Sequence, residues 1–304
     1  MAGISYIIKK ELSDAASNKA FLLSCAVLLI TFVCTGVSAG YSYYYYHLTL
    51  FEDTTIDIEL VLMRELVPPI RIVGALVAVA YGFNAINKER TEGSLKILLS
   101  YPVYRDQVIL GKLLASLILI VFTSFVSLIL TLIVYLVSTN LFFSFNQYIR
   151  YFVFMCLSTL LLSGYLGLSM LLSIAFKDPK TSLMAIFLLI SVFNSWIFYS
   201  YGRIISDAVY GPEINPGLFT SADPQRRALR ELIQNLSPSD SLRRITSQLC
   251  THRFTMYVGS ERVIVESNIW RVLISRLDAV VILVIVPVLS FSASYVLFTR
   301  RDIT

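Results

Sequence analysis

Charge is scarce in this chain. Only 15% of its 304 residues are Asp, Glu, Lys or Arg, against about a quarter in an ordinary soluble domain. Two histidines, His47 and His252, are too few to build a metal centre by themselves, and neither a HExxH motif nor a pair of spaced aspartates stands in an apolar block. Metalloprotease and intramembrane aspartyl chemistry are therefore excluded. Of four cysteines, Cys25, Cys34 and Cys156 fall in apolar blocks and Cys250 in a polar stretch, which is not a disulfide framework. The net charge of +5 comes without the basic, aromatic-interleaved patches that grip strands, so nucleic acid is not an expected partner.

What the chain has in quantity is apolar sequence. Hydrophobic residues make up 56% and the mean hydropathy is +0.72. They come in blocks of about 20 residues, the length that a hydrocarbon core of roughly 30 Å demands. Six spans are expected, at 20–39, 66–86, 108–137, 148–175, 181–200 and 279–299. The first is read as retained rather than as a cleaved signal, because Lys9, Lys10, Glu11 and Asp14 precede it and no small-residue cleavage site stands out. The expected fold is an all-α polytopic membrane protein of six transmembrane helices. It has an N-terminal amphipathic elbow helix and a small extracytoplasmic α/β segment between helices five and six. The chain divides into 1–200 (elbow, helices one to five and a cytosolic hairpin at 87–107), 201–278 (the outer segment) and 279–304 (helix six and tail).

Lys and Arg in short loops stay on the cytoplasmic side. With both termini inside, all eight lysines fall on the inner side, whereas the outer loop 40–65 carries Glu52, Asp53, Asp57, Glu59 and Glu65. The ten arginines of 201–278 do not oppose this orientation, since long segments translocate largely regardless of charge. A multi-pass protein of the cell membrane follows, in contact with membrane lipids, both termini cytoplasmic. In the elbow, Ile4, Ile7 and Ile8 lie on one side and Lys9, Lys10, Glu11 and Asp14 mostly on the other, the pattern of a helix lying in the interface.

The interiors of the proposed spans read as almost free of ionisable groups, Arg71 and Asp278 being placed at outer ends within reach of the interface. Ion-driven carriers normally place carboxylates or broken helices at mid-membrane. Movement against a gradient would then draw its energy from outside the bilayer. Helix packing is signalled by Gly74, Ala78 and Gly82 at four-residue spacing in the second span, and by Gly164 and Gly167 in the fourth. Thr123, Ser124, Ser127 and Thr131 along the third span read as hydroxyls bonded to their own helix carbonyls. The Pro68–Pro69 pair marks a bend near the start of the second span.

Between the second and third spans runs INKERTEGSLKILLSYPVYRDQVILGK, residues 86–112. Leu95, Leu98 and Leu99 form an apolar stripe over about two turns, Gly93 interrupts what precedes it, and Pro102 stops it. A short amphipathic helix tethered at both ends to membrane helices can transmit a push from a soluble partner, with Glu89 and Glu92 as charge partners. It can equally lie flat on lipid.

The series Glu89, Gly93, Ser94, Leu95, Leu98, Leu99, Ser100, Pro102, Val103, Arg105, Gly111 and Lys112 resembles the first cytoplasmic loop of ABC-2-type transport permeases. The elbow and the tail with Phe298, Arg300, Arg301 and Asp302 fit the same family. The resemblance implies a transmembrane permease subunit of an ATP-driven transporter. It implies two copies of a separate nucleotide-binding ATPase, which carry ATP and Mg, and a second, identical or homologous, permease. It places docking on Glu89, Glu92, Gly93, Leu95, Leu98, Leu99, Ser100, Pro102 and Arg105, with a secondary contact at Lys177 and Asp178. In keeping with it, the chain has no GxxxxGK[ST] loop, so no cofactor is expected on this chain and it is expected not to be an enzyme. An exporter is the expected direction. A membrane anchor recruiting a cytosolic protein through 87–107 is the competing reading.

In the outer segment, residues 223–236 read as an amphipathic helix. Ser237, Pro238 and Asp240 read as the start of a second one (cap, proline at the first position, acid at the third), and 254–267 as a hairpin turning at Gly259–Ser260.

Overall fold

The computed structural model describes residues 2–49, 60–91, 105–176, 178–194, 237–250, 253–258, 261–266 and 269–300, with isolated positions in 204–229. Helix α1 (Ala2–Ser17) leads almost directly into α2 (Lys19–Thr49). The break falls at Asn18, whose side-chain oxygen accepts from the Ala20 amide at 3.0 Å, so one asparagine ends the elbow and caps the next helix. There follow α3 (Val61–Pro69), a π-helical turn (Ile70–Gly74) and α4 (Ala75–Thr91), which together form one ascending column. Then come α5 (Arg105–Thr139), α6 (Phe145–Ala175) and α7 (Pro179–Asn194). Beyond them lie α8 (Pro238–Leu249), strands β1 (Arg253–Val258) and β2 (Glu261–Glu266), α9 (Ile269–Ser275) and α10 (Leu277–Arg300).

The π turn has a local cause. Pro68 and Pro69 have no amide hydrogen to give to the ladder, and each ring crowds the carbonyl four residues back. The helix resumes at Ile70, whose N–H reaches Leu66 and Val67, and Ala75 then donates back to Ile70. One wider turn keeps the column continuous where two prolines would otherwise break it.

Register fixes the directions of the helices. A Cβ on Gly36 would meet Thr131 and one on Gly40 would meet Ser138, so α2 and α5 run parallel. Gly74 faces Leu162 and Gly82 faces Leu166 and Ser169, while Gly164 faces Val286 and Gly167 faces Ser290, so α4, α6 and α10 run parallel to one another. The two sets are antiparallel: Cys25 meets Tyr81, Ser116 meets Met170, and the Tyr151 hydroxyl donates to the Leu128 carbonyl. Helix α6 is central, with Phe154, Leu162 and Leu166 fully buried against its neighbours. The hydroxyls of α5 bond within their own helix: Thr123 to Leu119, Ser127 to Thr123, Thr131 to Ser127, and Ser124 to Val121. Ser124 also reaches across, to Thr159 on α6 at 3.0 Å.

Two parts of the expected architecture need correction. Among the described residues five helices, not six, are long and apolar enough to cross a membrane: 19–46, 61–83, 106–139, 145–175 and 277–300. The stretch expected as a fifth span at 181–200 is described as far as Asn194, as α7, and residues 195–200 lie outside the described residues. At 1.5 Å per residue the 16 residues of α7 cover about 24 Å, short of a hydrocarbon core. Nor do the described residues of 201–278 form an α/β unit outside the bundle. Its helix α8 is inside, with Leu242, Ile245 and Leu249 fully buried together with Ser239, Ser241 and Thr246. Strands β1 and β2 pair only as a two-stranded antiparallel ribbon, Arg253 opposite Glu266 and Val258 opposite Glu261. The amphipathic helix expected over 223–236 lies almost wholly outside the described residues.

Close approach at Gly82 yields a test. An added Cβ would stand 2.7 Å from the Leu166 carbonyl oxygen, a backbone atom that cannot rotate away, whereas at Gly164 the nearest atom is a Val286 methyl at 3.2 Å. Gly82→Ala should cost about 1–3 kcal/mol as overpacking, and Gly164→Ala clearly less. Thermal inactivation of the detergent-solubilised chain compares them, and equal shifts would contradict this packing.

Candidate functional site

Four charged groups sit where an apolar bundle would be expected to exclude them. Lys112, on α5, is 2% exposed at its side chain and pairs with Glu11 of the elbow at 2.7 Å. One residue earlier, the absence of a side chain at Gly111 lets Ile7 of α1 lie directly on the α5 backbone: a Cβ there would stand 2.6 Å from an Ile7 methyl. The Gly-Lys pair that closes the 86–112 stretch is thus the seat of the elbow. Gly111 admits the apolar face of α1, and Lys112 takes its carboxylate.

At the opposite end, Arg150 of α6 is fully buried and donates to the Leu249 carbonyl, the last of α8, at 2.7 Å. Cys250, next in the chain, lies 3.5 Å from the Leu60 carbonyl. A helix leaves its last carbonyls without internal partners, and here a guanidinium supplies one.

The third and fourth charges meet deeper. Arg71, in the π turn, pairs with Asp240 of α8 at 3.4 Å, the two side chains 16% and 9% exposed. Asp240 is also 3.4 Å from Arg243 one turn along its own helix, whose side chain is half exposed. The buried Tyr165 hydroxyl of α6 lies in the electrostatic neighbourhood of Ser239, Arg71 and Asp240. Since Leu249 meets Arg150 and Asp240 lies near Tyr165, α8 runs alongside α6. Its first turn sits about 15 residues, or ~22 Å, along α6 from Arg150.

Ser237 caps α8, accepting from the Asp240 amide with Pro238 at the first helical position. Its hydroxyl also donates to the Phe193 carbonyl at 2.7 Å, and Ser239 donates to the same carbonyl at 2.6 Å. Phe193 is the penultimate residue of α7. The last described turn of α7 and the first turn of α8 therefore meet inside the bundle.

Arg71 is accordingly not an interfacial residue, and the bundle is not free of internal charge or of a helix break. Composition concealed both. Asp240 stands in a polar stretch and reads only as a helix-start acid, while Arg150 reads as the polar beginning of a long span.

Of the residues expected to dock a partner, Glu89 lies in the last turns of α4, and Arg105 is the first residue of α5. Glu92, Gly93, Leu95, Leu98, Leu99, Ser100 and Pro102 lie outside the described residues, as does Lys177. Asp178 is exposed at the turn into α7, where its carbonyl accepts from the Ser182 amide at 3.0 Å. Gly74, Ala78 and Gly82 are buried between α4 and its neighbours, and Gly164 and Gly167 face α10. Among the described residues no group of three His, Cys, Asp or Glu side chains is placed to hold a metal ion.

Long apolar helices packed in two antiparallel sets, with polar backbone ends satisfied inside, define a multi-pass α-helical membrane protein. The sequence model of the ABC-2 family transporter proteins matches residues 5–303, almost the entire chain. The chain belongs to that family: it is an ABC-2 permease, a multi-spanning membrane transport protein. Comparison with curated proteins finds no match.

The elbow seat can be tested directly. Glu11→Ala removes a charge-assisted hydrogen bond of the kind that contributes about 1.5–3 kcal/mol when well enclosed. Glu11 is itself partly exposed, which places the effect at the lower end. Amide exchange across α1 should accelerate about tenfold, with α6 unchanged. An unaltered α1 would show that the seat does not hold the elbow.

Proposed function

We propose that this permease couples ATP hydrolysis on a separate nucleotide-binding subunit to the movement of a substrate out of the cell, docking that subunit on residues 87–107. The supporting observation is where the two flanking helices lead. Helix α4 ends at Thr91 and α5 begins at Arg105. The first is packed on the central α6 through Gly82, the second on the elbow through Gly111 and Lys112. A push delivered between them would reach the middle of the bundle and its edge together.

Orientation rests on the lysines. Lys9, Lys10 and Lys19 flank the elbow, Lys112 lies near the start of α5 and Lys180 near the start of α7. Register puts these helix ends at one end of the bundle, and positive charge in short loops favours the cytoplasm. Both termini are then cytoplasmic. The exposed Asp178 and its neighbour Lys177 offer a second contact to the same subunit. Two permeases, the same or homologous, and two ATPases carrying ATP and Mg complete the transporter. The described residues place most of the chain's exposed large apolar side chains on its membrane helices, such as Leu23, Phe122, Phe187 and Leu289, a surface for lipid or for a second permease.

Leu98 carries the test. A Gly93→Pro, Leu98→Asp variant should lose the co-purifying ATPase while keeping the wild-type thermal stability of the membrane bundle. Recovery of as much ATPase as with the wild type would reject docking at this stretch.

A further inference from the structure

Asp240 sits between two guanidinium groups that belong to different parts of the molecule. Arg71 is on the column that continues into α4 and on to residue 91, while Arg243 is on α8 itself, and both are 3.4 Å from the same carboxylate oxygen. These two contacts differ in exposure. The Arg71–Asp240 contact is enclosed on both sides, whereas Arg243 is 54% exposed. An enclosed ion pair that simply loses one member leaves a charge stranded in a low-dielectric setting, which is costly. Here Asp240 need not be stranded. If α8 moves away from the π turn, Arg243 travels with it and remains the partner of the carboxylate.

The remaining contacts of α8 fit the same picture. At its start the hydroxyls of Ser237 and Ser239 donate to one carbonyl of α7, and at its end Arg150 donates to the Leu249 carbonyl. These are side chain to backbone bonds at its two ends, and they leave the Asp240 carboxylate as its charged tie to the α3–α4 column. That column bends through a π turn at the residue that supplies Arg71, and single π turns of this kind recur where a helix serves a function.

We propose that Arg71 and Asp240 form a latch that seats α8 on the α3–α4 column, with Arg243 as the exchange partner that receives the carboxylate when the latch opens. The latch makes α8 the element that answers movement of residues 92–104, and in that part it rests on the docking proposed above. Arg71, Asp240 and Arg243 are positioning residues: the inference assigns them no contact with substrate. Glu65 and Arg64 lie one to two turns before Arg71 on the same column, and Tyr165 faces the pair from α6. The ion pairs of Asp240 with Arg71 and Arg243 involve none of these residues.

The two arginines should act in opposite directions, which a merely structural pair would not do. The test uses the full chain in lipid nanodiscs, with its four native cysteines replaced by alanine and spin labels at Ser247→Cys and Phe152→Cys. Both positions are exposed, one on α8 and one on α6. Pulsed electron spin resonance should give one distance for the otherwise wild-type chain. Arg71→Gln should add a second population, longer by about one helical turn, ~5 Å, and Arg71→Lys, which keeps the charge, should not. In the complex with its co-purified ATPase, Mg–ATP should produce that longer population in the wild type, and Arg243→Gln should reduce it at least severalfold. A single distance in Arg71→Gln, or a shift in the same direction from both arginine variants, overturns the latch. If the ATPase binds and hydrolyses ATP but the distances stay fixed, the link to residues 92–104 falls. If no ATPase co-purifies, the docking proposal fails instead, and the chain-alone distances still decide the latch.

Discussion

A helix that ends inside an apolar bundle leaves carbonyls with no water to accept from, and each such group costs several kcal/mol if nothing else donates to it. The arrangement of this protein depends on how that constraint is met at Phe193. Two serine hydroxyls from the first turn of α8 converge on its carbonyl, and the same Ser237 hydroxyl caps the amide of Asp240. One short polar sequence, Ser-Pro-Ser-Asp, thereby closes the end of one half-helix and starts the next.

Once α8 is inside, its polarity dictates further contacts. A 12-residue helix carrying Asp240, two arginines and several hydroxyls cannot face lipid. It must be enclosed by protein, and α6, the α3–α4 column and α10 provide the enclosure. Arg150 receives its last carbonyl, Arg71 receives its carboxylate, and the apolar face of Leu242, Ile245 and Leu249 fills the remaining space. The glycines of α4 and α6 serve the same purpose. Close packing at Gly74 and Gly82, and at Gly164 and Gly167 toward α10, brings the three parallel helices near enough to wall off a polar element.

Much of this was legible in the residues alone, and the limits have a physical origin. Long apolar runs announce spans because nothing else requires them, so α2, α5, α6 and α10 are plain to read. The Ser-Pro-Ser-Asp start of α8 is also plain, since capping chemistry is local. What a linear reading misses is a polar helix that is buried by its neighbours rather than by its own sequence. Hydropathy assigned α8 to an outer segment and took 181–200 as a complete span, because Ile186 and Ile190 look alike whether a helix crosses the bilayer or stops partway. Arg71 and Arg150 were equally hidden: an arginine near the end of an apolar run reads as snorkelling unless its partner, far away in sequence, is known.

The same consideration bears on energy coupling. Spans that seemed free of charge pointed to an energy source outside the bilayer. The observed charges do not restore an ion-driven reading, because they are matched internally: Lys112 to Glu11, and Arg71 to Asp240 with Arg243 alongside. The Asp240 carboxylate is shared between two guanidinium groups, so it is not the lone mid-bundle acid that an ion-driven carrier uses. Its suitability lies in a different direction. A group with two alternative partners on two separately moving elements can change partner without losing its charge, and that is what a mechanically driven permease can use to let one helix part from another.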